Sequence, residues 1–120
     1  MANLTELALT RNGSITLTFQ NGAASQEIEL KAPDEKYVLE VQNTDAVTAL
    51  IRIEGGDYSG GVLGVLDKQV VQNAYAVLGP LEGTRFKDSA GKFSVLILGV
   101  GGGAYGGTVT AVKLGLLRLP

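Results

Sequence analysis

A chain of 120 residues holds one hydrophobic core of ordinary size, because a second would need about as many residues again. Cysteine and histidine are both absent, which excludes disulfides, zinc-thiolate sites and thiol nucleophiles and removes the side chain that usually moves protons near neutral pH. Ten Lys and Arg against twelve Asp and Glu leave a formal net charge of −2, too small a bias to hold nucleic acid by counterion release, while 18% charged against 45% apolar residues predicts a surface suited to burial against a partner.

The first residues, Met1 to Glu6, lack a basic stretch followed by an apolar one, so no secretory leader is expected there. No membrane association is expected either, since the apolar run Val95 to Leu98 is far short of the about 20 residues that a spanning helix needs. Ile15, Leu17 and Phe19 alternate with Thr16, Thr18 and Gln20, the period of two that predicts a half-buried strand. Turn residues at 21–25 then lead to Ile28 and Leu30, alternating with Glu27, Glu29 and Lys31, and the pair predicts a hairpin that ends at Pro33-Asp34. Tyr37, Leu39 and Val41 predict a third strand, Asn43-Thr44-Asp45 a turn, and Ala49, Ile51 and Ile53 a fourth, which together read as a second hairpin.

Glycines at 55, 56, 60 and 61 make that stretch a loop. Val70, Val71, Ala74, Tyr75 and Leu78 fit one helical stripe, but the β-branched residues and Asn73 favour a strand ending at Gly79-Pro80, with a short helix as the lesser alternative. Phe86-Lys87 and Lys92-Phe93 flank the turn residues Asp88 to Gly91, a third predicted hairpin. The segment Phe93 to Leu98 is apolar on both parities, which predicts a central strand or one covered by another subunit, and Thr108 to Leu119 predicts a last strand with an unusually apolar end. Short strands about ten residues apart predict an all-β fold, an antiparallel β-sandwich with jelly-roll-like character and roughly seven to nine strands. The whole of 1–120 reads as one domain, with possible docking arms at 1–10 and 114–120.

Gly101 to Gly106 match the spacing G-x-G-x-x-G, yet only 14 residues follow Gly106 and no helix signal is among them, so a mobile or partner-ordered hairpin tip is expected instead of a nucleotide loop. Gly55-Gly56-Asp57-Tyr58-Ser59-Gly60 is a single copy of a glycine-aspartate pattern that binds calcium only when stacked in several copies, and reads as a surface loop. Asp34, Glu35 and Asp45 read as turn carboxylates rather than an acid-base pair. No catalytic, cofactor-binding or metal-binding residues are therefore assigned, and no enzyme activity is expected. Tyr58 and Tyr105, both beside glycines, are the candidate loop contacts, whereas Phe19, Tyr37, Phe86 and Phe93 read as core.

The opening Leu9-Thr10-Arg11-Asn12-Gly13-Ser14, the strand and turn from Leu39 to Asp45, the middle Leu78-Gly79-Pro80 and the closing Val112 to Leu119 resemble, in order and spacing, small virion proteins of tailed bacteriophages of the head decoration or cement kind. That resemblance implies a β-sandwich that binds the major capsid protein and stabilises the assembled shell. It further implies a homo-oligomer, with a trimer favoured, located on the capsid surface of the virion after synthesis in the host cytoplasm, with no cofactor. The segments 55–61 and 99–107 are longer than that pattern. Strand addition by the apolar ends would make Leu4, Leu7, Leu9, Leu116, Leu117 and Leu119 the docking residues, with burial in the chain's own core as the alternative. The competing functions are a tail or fibre component of similar build and a carbohydrate-binding module carried by Tyr58 and Tyr105, the lack of Trp weighing against the latter.

Overall fold

Alternation of apolar and polar residues becomes alternation of inward and outward side chains wherever the chain pairs as a sheet. The computed structural model describes residues 2–8, 13–14, 16, 18–29, 37–55, 65–81 and 92–119. Within them run ten strands: β1 (Ala2–Asn3), β2 (Glu6–Ala8), β3 (Gln20–Asn21), β4 (Ser25–Glu29), β5 (Tyr37–Asn43), β6 (Ala49–Ile53), β7 (Leu66–Val70), β8 (Tyr75–Leu78), β9 (Lys92–Leu98) and β10 (Val112–Arg118). A 3-10 turn at Val109–Ala111 precedes β10, and the described residues hold no α-helix.

Two sheets share these strands. The first has the order β1-β4-β9-β6-β7 and the second β2-β10-β5-β8, with β3 joining the same border of β10 that β2 occupies. Their inner faces enclose one core, in which Ile28, Tyr37, Leu39, Val41, Ile51, Ile53, Phe93, Val95, Ile97, Val112, Leu114 and Leu116 are all but fully buried. A shortest dimension of 20 Å is what two sheets stacked about 10 Å apart occupy once outward side chains are added.

The pairing is nested. β6 pairs antiparallel with β7, β5 with β8, β4 with β9 and β3 with β10, each pair enclosing the one before in sequence. Rolled up, this arrangement is a jelly roll, and β3 to β10 supply its eight strands, within the expected range. The two short strands β1 and β2 extend it at its borders through parallel pairing with β4 and β10.

Nesting overturns the local hairpins. β5 and β6 lie in different sheets, as do β3 and β4, so neither of the first two predicted hairpins forms. Turn chemistry reverses the chain in both cases, but it does so across the sandwich rather than within a sheet, because each strand finds its partner on the far side of the roll. The third predicted hairpin depends on residues 86–91, which lie outside the described residues, as do Ile15 and Leu17. The predicted strand over 70–78 is split at 71–74 into β7 and β8, again in different sheets, with Asn73 at φ 63° in the turn; neither one strand nor a helix spans it. The expected stop at Gly79-Pro80 holds, since β8 ends at Leu78. β9 is the middle strand of its sheet, in keeping with its apolar character on both parities.

Phe19 requires another correction. It is placed outside the core, on the outer face of the second sheet, where a Cβ on Gly115 would lie 3.3 Å from its ring. Val38 and Glu40, outward by parity, are nonetheless only 9% exposed each. Thr18 and Phe19, just before β3, thus lie over that face, and the missing side chain of Gly115 makes the hollow that Phe19 fills.

Candidate interaction surfaces

Antiparallel pairing sends the connections 22–24, 44–48, 71–74 and 99–111 to one end of the sandwich. Asn43, fully buried at the close of β5, holds this end together. Its side-chain amide donates to Val70 O at 2.8 Å and Val47 O at 3.0 Å, and its Oδ1 accepts from Asp45 N at 2.9 Å. Its backbone adds bonds with Ala74 and Asn73. Every polar group of Asn43 is therefore partnered, and two of the connections and the end of β7 are joined through one residue.

The long connection 99–111 is tied to the same corner. Gly99 to Gly103 close a tight turn, with Gly102 N donating to Gly99 O and Gly99 N to Gly103 O. The chain then brings Tyr105 back onto the core, its ring packing beside the buried cluster and its hydroxyl 2.7 Å from Asp45 Oδ2 and 2.8 Å from Val47 O. Thr108 N donates to the same Oδ2 at 2.7 Å, and Ala46 N donates to Oδ1 at 2.8 Å. Gly107 is required by this closeness, because a Cβ there would collide with Asp45 Oδ2 and press on the Tyr105 ring. The Tyr105 hydrogen bond, with those from Thr108 and Ala46, holds the Asp45 carboxyl below its ordinary range. Burial first, and the Asp45 carboxylate next, push the Tyr105 phenol up to about 12.

The connections at this end carry one charged residue, Asp45, and its carboxylate is engaged as described. Val47, Val71 and Val100 stand 39%, 56% and 48% exposed around it. This end is therefore charge-poor and weakly apolar, with the Lys113 ammonium at its border bonded to Asn21 Oδ1 and Thr110 O.

A second feature lies on the outer face of the second sheet. Phe19 meets Tyr75 edge to face, with ring centroids 5.8 Å apart. Beneath them, Glu40 has one oxygen, Oε2, buried without a hydrogen-bond partner. Burial, and after it the Glu40 carboxylate, raise the Tyr75 phenol above its usual value. The first sheet's outer face is different in kind, being crossed by a two-bond ion pair of Arg52 with Asp67 at 2.8 and 3.0 Å and by Lys92 with Glu27 at 3.3 Å. Among the described residues, no three acidic side chains gather to hold a metal ion.

The expected contact residues fall into distinct places. Leu4 and Leu116 belong to the core between the sheets. Leu7 and Leu117 are half-buried and paired with each other, since β2 runs parallel to β10 within the one chain; Leu119 is half-buried just beyond β10. Tyr105 is half-buried with its hydroxyl turned inward, so it offers no free ring tip. Leu9, Tyr58 and the glycine-aspartate loop at 56–60 lie outside the described residues. Sequence reasoning placed Asp45 in a turn but missed its bonds to Tyr105 and Thr108, about 60 positions away; the signal available was the glycine pair Gly106-Gly107 directly after a tyrosine. Comparison with protein families, with curated proteins and with solved structures finds no match.

Proposed function

We propose that this protein is a structural component of a bacteriophage virion, a decoration or cement protein that docks on the assembled head and stabilises the shell, with the major capsid protein as its partner. The observation that carries this reading is the charge-poor end where Val47, Val71 and Val100 are exposed. Burying it against a protein lattice desolvates little charge, since the Asp45 carboxylate is already held by three donors and the Lys113 ammonium at its border is bonded to Asn21 Oδ1 and Thr110 O, and the exposed Val47, Val71 and Val100 gain by leaving water. Its backbone is already ordered by Asn43 and by Asp45 with Tyr105, so docking loses little conformational entropy there.

Fold analogy lends further support, because jelly rolls are shared by viral capsid and lectin domains, and so does the order of sequence segments noted above. A small domain that binds the assembled lattice better than free subunits displaces the equilibrium toward assembly. Catalysis has no part in this role.

The test is co-sedimentation of the purified chain with heads that lack it. Binding should saturate at a fixed ratio of copies per head, and a Val47→Glu, Val100→Glu double variant should bind at least ~10-fold more weakly with an unchanged monomer melt. A chain that stays in the supernatant at every concentration contradicts the reading. Binding to a glycan in its place would favour the carbohydrate alternative.

A further inference from the structure

Among the described residues the border strands are β1 and β7 in the first sheet and β2, β3 and β8 in the second, of which β7 and β8 are the longest. They are not equally protected. β7 exposes Asp67, Lys68 and Gln69, the kind of residues that discourage a further strand from pairing. β8 reads Tyr75-Ala76-Val77-Leu78, with no charge, glycine or proline, and leaves Tyr75 49% and Val77 57% exposed. An open, uncharged edge of this kind is a template for another strand.

We propose that the occupant is a second copy of this chain, β8 lying antiparallel to β8 about a twofold axis at Ala76, so that the two second sheets become one. Register leads to this choice. Residues directly opposite in an antiparallel pair share a face, so an axis between Ala76 and Val77 is excluded: it would set the buried Ala76 against the exposed Val77. An axis at Val77 would place Gly79 opposite Tyr75, and Gly79, at φ 129°, is not extended. An axis at Ala76 uses β8 alone and sets Tyr75 opposite the partner's Val77, an aromatic and β-branched pair of the favourable sort.

Symmetry places like against like, which a charged edge cannot tolerate and β8 can. The nearest carboxylate on that face, Glu40, is one strand in from the edge, opposite Val77, so its twofold mate stands about three strand spacings away, roughly 14 Å, beyond strong repulsion at ordinary salt. The pairing needs no shell and leaves Val47 and Val100 of the charge-poor end free. It makes a dimer, not the trimer favoured by resemblance, the species expected in solution.

Sedimentation equilibrium of the isolated chain should give twice the chain mass. Val77→Lys should raise the dissociation constant at least ~100-fold with an unchanged melt of the monomer, whereas Gln69→Lys on the β7 edge should leave it unaltered. Because the chain has no cysteine, the register can be read directly. Under mild oxidation, a mixture of the Tyr75→Cys and Val77→Cys chains should give a disulfide-linked pair that neither gives alone. A monomer at all concentrations, a mass of three copies, an association indifferent to Val77→Lys, or a mixture that crosslinks no better than its components would each overturn the proposal.

Discussion

Asn43 and Asp45 show how single polar residues organise a region that sequence reads only as a turn. Asn43 is buried and uses all its hydrogen-bonding groups, so its loss strands several partners at once. Asn43→Ala is expected to lower stability by about 2–4 kcal/mol in urea denaturation, against less than about 0.5 kcal/mol for Thr110→Ala on the exposed surface nearby. Asp45 makes a pH-dependent contribution of definite sign. Its folded pKa is depressed, so the stabilisation is complete above the ordinary value of 3.8 and fades as pH falls below it. Tyr105 acts at the alkaline limit: its phenol is raised to about 12, so its contribution is complete below about 10 and is lost as pH rises between those values. The melting difference between the native chain and Asp45→Asn should accordingly shrink as pH is lowered from 5 toward the folded Asp45 value, and a constant difference would contradict the geometry. The Asx-rich turn was legible from Asn43-Thr44-Asp45 alone. The Tyr105 contact was not, because hydrogen bonds between residues so distant in sequence leave no local pattern.

At the scale of elements, parity made the inward faces of β5, β6 and β9 legible: Tyr37, Leu39, Val41, Ile51, Ile53, Phe93, Val95 and Ile97 all point to the core as alternation requires. The same rule fails for Val38 and Glu40, since it describes two faces and cannot say that the chain before β3 covers the outer one. Gly115 is the residue that permits this cover. Gly115→Val should displace Phe19, expose Glu40 and cost about 1–3 kcal/mol through overpacking, while Phe19→Ala in the same background should cost little more, because the two changes act on one contact. Equal and additive costs in a double-mutant cycle would contradict the contact. The predicted hairpins failed for a related reason. Turn residues at 21–25 and 43–45 announce that the chain reverses, but not whether the next strand pairs in the same sheet or crosses to the other, and here the crossing wins because nested partners bury both ends of the chain in one core.

For the whole molecule, nesting has a kinetic consequence and charge placement a functional one. The outermost pair joins Gln20 with Leu114, so closing the roll means ordering most of the chain before its last strands gain their contacts. Refolding should therefore fall in the milliseconds-to-seconds range of non-local β folds when followed by stopped-flow tyrosine fluorescence, and microsecond refolding would contradict the nested topology. All-β class and sandwich architecture were legible from strand spacing, whereas strand order was not, since pairing partners are decided by the core as a whole. The scarcity of charge at one end could be recognised only after the topology had brought the connections 22–24, 44–48, 71–74 and 99–111 together. It is also the basis of the shell-binding role, and the most direct test of that role is scanning calorimetry of phage heads with and without the purified chain. The expected result is a rise in the temperature of head disruption that saturates with added chain and is lost with Val47→Glu, Val100→Glu; an unchanged disruption temperature at saturating chain would contradict the role.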